Sequence, residues 1–95
     1  MRVISHKAIV DAARRHPDAG AALDNWYRIT RKASWRHLAD ARKDFGHADV
    51  VGRLAVFNLK GNDYRLVARI NYVTQKVFVR GVWTHAEHSK GDWQE

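Results

Sequence analysis

Three runs in the second half of the chain, "RLAVFNL", "YRLVARINY" and "KVFVRGVW", are rich in valine, isoleucine, phenylalanine and tyrosine, and only "KGND" and "VTQ" separate them. Gaps that short close hairpins and leave no room for the crossover of a parallel pair, so an antiparallel meander of three strands is expected from about Val50 to Trp83. Side chains alternate across a strand, which sends Tyr64, Leu66, Ala68 and Ile70 to one face and Arg65, Val67, Arg69 and Asn71 to the other. In the last strand Val77, Val79 and Gly81 oppose Lys76, Phe78, Arg80 and Val82. Neither strand has a purely polar face. The expectation is a sheet covered by helices on one side, with a partly covered, arginine-bearing surface on the other where Arg65 and Arg80 meet.

The first half supplies the helices. "RVIS" is a short strand candidate for the sheet edge, and Ser5 is an N-cap for a helix through "HKAIVDAARR", whose Ile9, Val10, Ala12 and Ala13 form an apolar face. Pro17 stands where a second helix begins, because proline at the first helical position loses no hydrogen bond. That helix turns Leu23, Trp26, Ile29 and Ala33 inward, while Arg28, Arg31 and Lys32 share a face that, residue by residue, is most simply a solvated surface. Ser34 caps a third helix, "WRHLADARKDF", and Gly46 marks its end. The fold class is therefore α+β over one domain, residues 1–95, with Trp26, Leu66, Ile70, Val77 and Val79 at its core.

With 95 residues, 45% of them hydrophobic, such a chain can form one core and present one site. Lysine and arginine number 17 against 10 acidic residues, and the net charge of +7 favours a polyanionic partner without choosing among nucleic acid, acidic protein and anionic membrane. The absence of cysteine excludes disulfide and thiolate chemistry. No apolar run approaches the ~18 residues of a membrane span, and the expected location is cytoplasmic, away from membranes. His6, His16, His37 and His47 are scattered over the helical half as surface residues.

The order strand, helices, antiparallel strands, with "VFNLKGNDYRLVARINY" in the middle and "VFVRGVWTHAEH" near the end, resembles the HigB-type toxins of the RelE superfamily. The likeness also covers "HPDAGAALDNWYRI" and "ASWRHLADARKDF", and its most specific parts are VFN-K-GN-YRL and R-x-x-x-TH-x-E. The resemblance implies a RelE-like fold and an endoribonuclease that cuts mRNA, in most members in the ribosomal A site of the 30S subunit. It also implies a HigA-type helix-turn-helix antitoxin as partner. Members commonly carry TH-x-EYD where this chain has Thr84-His85-Ala86-Glu87-His88-Ser89, so His88 stands in place of the tyrosine and Ser89 in place of the aspartate.

RNA cleavage without a metal or other cofactor lets the 2′-hydroxyl attack the adjacent phosphorus. It needs a base, an acid for the leaving 5′-oxygen, and cations for the charge of the phosphorane. Lys60 at the turn, Arg65 and Arg80 on the sheet, and His85 and His88 after the last strand are the candidates. Arginine suits phosphate because its planar fork donates two parallel hydrogen bonds and keeps its charge when buried. Each candidate has a plainer explanation: an ion pair of Arg65 with Asp63 or Asp49, turn chemistry for Lys60 and Asn62, strand-end packing for His85. Glu87 is a further base, weakened by the cations around it. Arg28, Arg31, Lys32, Arg69 and Asn62 are the candidates for contact with RNA or the ribosome. The alternatives are a non-catalytic basic RNA- or DNA-binding module, and an interaction protein for an acidic partner. The polar tail "SKGDWQE" has Trp93 as its one anchor, to be ordered by antitoxin or ribosome.

Overall fold

The computed structural model describes residues 1–89, so Trp93 and most of the tail lie outside the described residues. Strand β1 (Arg2–Ile4) leads into helix α1 (His6–Arg15), a 3-10 turn (Pro17–Ala19), α2 (Gly20–Lys32) and α3 (Leu38–Asp44). The meander follows as β2 (Asp49–Val51), β3 (Leu54–Leu59), β4 (Tyr64–Asn71) and β5 (Lys76–Thr84), and a short helix α4 (His85–Ser89) closes it.

These elements form one 5-stranded sheet in the order β1-β5-β4-β3-β2. Every pair is antiparallel except β1 with β5, which is parallel, with Arg2 opposite Lys76 and Ile4 opposite Phe78. A parallel pair needs a long crossover, and here the connection runs through the helices and then β2, β3 and β4. The sheet is therefore mixed, and the meander has one strand more than the three expected. The addition is β2, reached from β3 through Gly52 at φ 61°.

Helices cover one face, as the alternation required. Ile9 and Ala12 of α1 and Leu23, Trp26 and Thr30 of α2 are buried against Phe57, Leu66, Ala68, Val77 and Val79. Phe57 is the centre of the packing, with Trp26 edge-on at 5.5 Å, Phe45 edge-on at 5.3 Å and Trp35 stacked at 6.1 Å. Such ring pairs add to the burial of area itself. Ile70, expected in the core, is only half-buried at its edge.

Several local expectations shift. Ser5 precedes α1 in a left-handed conformation, φ 69°, and its carbonyl rather than its side chain receives a helix N–H, that of Ala8 at 2.9 Å. Pro17 opens the 3-10 turn that runs into α2, and α3 starts at Leu38 rather than just after Ser34.

The largest departure is a bulge in β5. Val67 pairs with Gly81 and Ala68 with Val79, so Arg80 is an extra residue. The bulge resets the alternation. Val82 turns into the helix-side core opposite Leu66, and Gly81 and Trp83 turn to the other face. That outer face holds a second small cluster, Leu54, Val56 and Val67, with Trp83 packed against it. No helix among the described residues is long and apolar enough to cross a membrane.

Candidate active site

The turn of the "KGND" segment joins β3 to β4 with Lys60 at φ 49° and Gly61 at φ 67°. Glycine adopts that left-handed conformation freely and lysine does not, so Lys60 needs an external hold. Asp18 of the 3-10 turn supplies it. Its carboxylate accepts from Lys60 Nζ at 2.8 Å and from the hydroxyl of buried Tyr64 at 2.7 Å. The hydrogen bond from Lys60, then that from Tyr64, holds the Asp18 carboxyl below its ordinary pKa, and Asp18 in turn raises Lys60 and Tyr64. A depressed carboxylate contributes stability above its unfolded pKa and loses it as pH falls through the folded one, so the pair is intact at neutral pH. Lys60, the sequence candidate, is thus engaged with Asp18 at the turn. Asn62 accepts from Asn58 Nδ2 at 3.2 Å on the same turn.

Arg65 follows directly on β4. Its Nη1 donates to the carbonyls of Asn62 at 2.8 Å and Tyr64 at 3.2 Å, and its Nη2 lies 3.0 Å from His85 Nδ1. Guanidinium only donates, so Nδ1 is the acceptor and the His85 proton sits on Nε2. Neither acid considered from the sequence takes Arg65; Asp49 lies 3.6 Å from Arg42 instead. The guanidinium is partly exposed and steered by two backbone carbonyls and one imidazole, and among the described residues no carboxylate forms an ion pair with it.

His85 and His88 are placed by a reciprocal cap. Thr84 Oγ1 accepts from the Glu87 N–H at 3.2 Å while Glu87 Oε1 accepts from the Thr84 N–H at 2.9 Å. This is a capping box, and it starts α4 immediately after β5 with His85 as the first helical residue. The His85 N–H reaches the Asp63 carbonyl at 2.9 Å, which ties the helix start to the turn that carries Lys60. His88 is three residues on, on the same side of the helix as His85. Burial first, then the charges of Arg65 and His85, lower the His88 pKa, so its imidazole is neutral at pH 7. The N–H of Thr84 bonded to Glu87 lowers that carboxyl. Its cap engagement accounts for Glu87 without a role as base, and two substitutions separate the roles. Glu87→Gln keeps the acceptor and should cut at nearly the wild-type rate, whereas Glu87→Ala should lose about 1 kcal/mol of stability and slow cleavage by up to about a hundredfold through misplaced histidines.

The other basic candidates fall elsewhere. Arg80 is the extra residue at the bulge of β5. It lines a hollow of ≈ 420 Å³ with Arg69, Asn71 and Phe78, and another of ≈ 520 Å³ beside Asp11, Arg14 and Arg15 of α1. Arg28, Arg31 and Lys32 are exposed on α2, in the helical layer on the opposite side of the sheet from Arg65 and Arg69, and Arg28 pairs with Asp24 at 3.0 Å. The assembled cluster is Arg65, His85 and His88, with the Lys60 turn beside it and a second cationic patch around Arg80. Two imidazoles and a guanidinium at one strand end can move protons and hold a phosphate.

A family model described as HigB_toxin, the RelE-like toxic component of a toxin-antitoxin system, matches residues 19–91. The chain belongs to the HigB toxin family. It is similar to the "mRNA interferase HigB" of Escherichia coli O6:H1 (strain CFT073), 29% identical over 93 residues that cover 95% of this chain and 90% of that one. It is also 30% identical over 91 residues to the "mRNA interferase toxin HigB" of Escherichia coli K12 and to the "mRNA interferase HigB" of Shigella flexneri, covering 93% of this chain and 88% of each.

Three features of this HigB-family chain escaped sequence reasoning. Asp18 lies 42 positions from Lys60, and nothing local marks the pairing. Arg14 and Arg15 carried a faint mark as two basic residues in the last turn of α1. Trp83 carried none, because the alternation without the bulge assigns it the wrong face.

Proposed function

We propose that this chain is an endoribonuclease that cuts mRNA as the toxin of a toxin–antitoxin pair, with Arg65, His85 and His88 as its cleavage centre. The observation that carries this reading is the 3.0 Å contact between Arg65 Nη2 and His85 Nδ1, with His88 three residues further along α4 and its pKa lowered first by burial. In the proposed mechanism the Arg65 fork binds the scissile phosphate and stabilises the charge that develops on it. His88, neutral at pH 7, takes the proton of the 2′-hydroxyl as that oxygen attacks phosphorus. Phosphate engaging Arg65 releases His85 Nδ1, which takes a proton from solvent, and the Nε2 proton of His85 passes to the departing 5′-oxygen as the bond from that oxygen to phosphorus breaks. The products are a 2′,3′-cyclic phosphate and a 5′-hydroxyl, with no metal in any step. His88 here does the work that the resemblance assigns to a tyrosine.

Lys60 supports the turn and adds positive potential, and Arg80 with Arg69 holds a phosphate further along the strand. Arg28, Arg31, Lys32 and Asn62 are proposed to contact RNA or the ribosome, with cleavage in the A site of the 30S subunit. A HigA-type helix-turn-helix antitoxin is the proposed silencing partner, docked away from the cleavage centre, and the cytoplasm is the proposed compartment. One domain spanning 1–95 suffices for all of these contacts. The test is addition of the purified protein to translating ribosomes, with analysis of the cut ends. Cyclic phosphate ends at internal mRNA positions are expected. Binding to ribosomes with intact mRNA would favour the non-catalytic module instead.

A further inference from the structure

The outer face of β5 interleaves cations and aromatics: Lys76, Phe78, Arg80 and, past the bulge, Trp83. Phe78 is 37% exposed, and Trp83 is partly exposed above the cluster of Leu54, Val56 and Val67. The benzo ring of Trp83 lies over Gly81 so closely that a Cβ at position 81 would come within 2.7 Å of Cη2 and 3.0 Å of Cζ3. Arg65 is its cross-strand neighbour, and paired residues share a face. Covering three aliphatic side chains needs only apolar bulk, which leucine or methionine would supply. A flat indole laid down by a glycine, with Arg65 across from it and Arg80 three residues before it, is the arrangement that takes a nucleobase: a π-face between two phosphate-binding cations.

We propose that Trp83, held flat over Gly81 beside Arg65, is the stacking platform for one mRNA base next to the scissile phosphate. The proposal rests on the cleavage reading above and adds to it a subsite that senses whether a base is present. Stacking fixes the nucleotide whose phosphate Arg65 holds, and it is sequence-tolerant because every base offers a π-face.

The test uses ribosomes programmed with mRNAs that each carry one abasic nucleotide at a successive position around the cut, cleaved in single turnover. Wild-type protein should lose about ten- to a hundredfold at one position. Trp83→Leu, which keeps the cover over the aliphatic cluster, should lose as much on intact mRNA and show no further loss at that position. Trp83→Phe should stay near the wild type. Gly81→Ala, which displaces the indole without altering Trp83, should reproduce the leucine result, with melting curves confirming that both variants fold. Wild-type cleavage by Trp83→Leu, or an abasic penalty undiminished in that variant, overturns the platform. Arg65→Ala separates the two claims: wild-type speed in that variant would sink the cleavage reading, whatever Trp83 does.

Discussion

Replacing His85 by alanine should slow single-turnover cleavage of ribosome-bound mRNA by about 10²–10⁴, the range for loss of a positioned acid or base. The imidazole is held at both ends of its residue, by the backbone bond to the Asp63 carbonyl and by Arg65 at Nδ1. Alanine keeps the backbone bond and the Thr84–Glu87 cap, so α4 should form and the loss should fall on the chemistry. His85→Gln offers an amide of similar reach that cannot exchange a proton, and it should be nearly as slow. A His88→Ala protein should be slow as well, and restoring tyrosine there by His88→Tyr measures how far the imidazole replaces the residue that the family pattern carries. Growth inhibition on induced expression reports the same order of effects in cells.

The second large effect belongs to Arg65. If its guanidinium stabilises the phosphorane, Arg65→Ala should cost about 10²–10³ in the cleavage step and much less in association, because the extra negative charge exists only in the transition state. Lysine should not rescue it. The Arg65 fork reaches two backbone carbonyls and an imidazole at once, and a single ammonium cannot reproduce that planar arrangement. Removal of Arg31 or Lys32, exposed on the helical layer, should instead weaken ribosome association and flatten its salt dependence while leaving the cut itself nearly unchanged. The difference between the two outcomes distinguishes a nuclease from a basic binder.

How much of this was legible follows from the range of each interaction. Strand periodicity and hairpin-length gaps are local, and they were enough to put Arg65 on the face opposite Leu66 and to seat Trp26, Leu66 and Val77 in the core. The bulge at Arg80 is a property of two strands together, since Gly81 tolerates either face and only the pairing with Val67 decides it. Reading past it displaced Val82 and Trp83 by one step, and Arg80, the bulged residue, lines a hollow with Arg69 and Phe78. The Thr84-x-x-Glu87 spacing did contain its capping box, but among cations the carboxylate invited a chemical role over a structural one. Asp18 illustrates the opposite limit. Its hold on Lys60 and Tyr64 joins segments remote in sequence, and only the folded chain displays it.

The most direct test of the central claim measures ribosome binding and the single-turnover cleavage rate side by side for the wild type, Arg65→Ala, His85→Ala and His88→Ala. The account predicts association within a fewfold of wild type for all three variants and a cleavage step slowed by at least about 10² for Arg65→Ala and His85→Ala. If all three variants fold normally and cut at the wild-type rate, the cleavage centre does not lie at this end of the sheet.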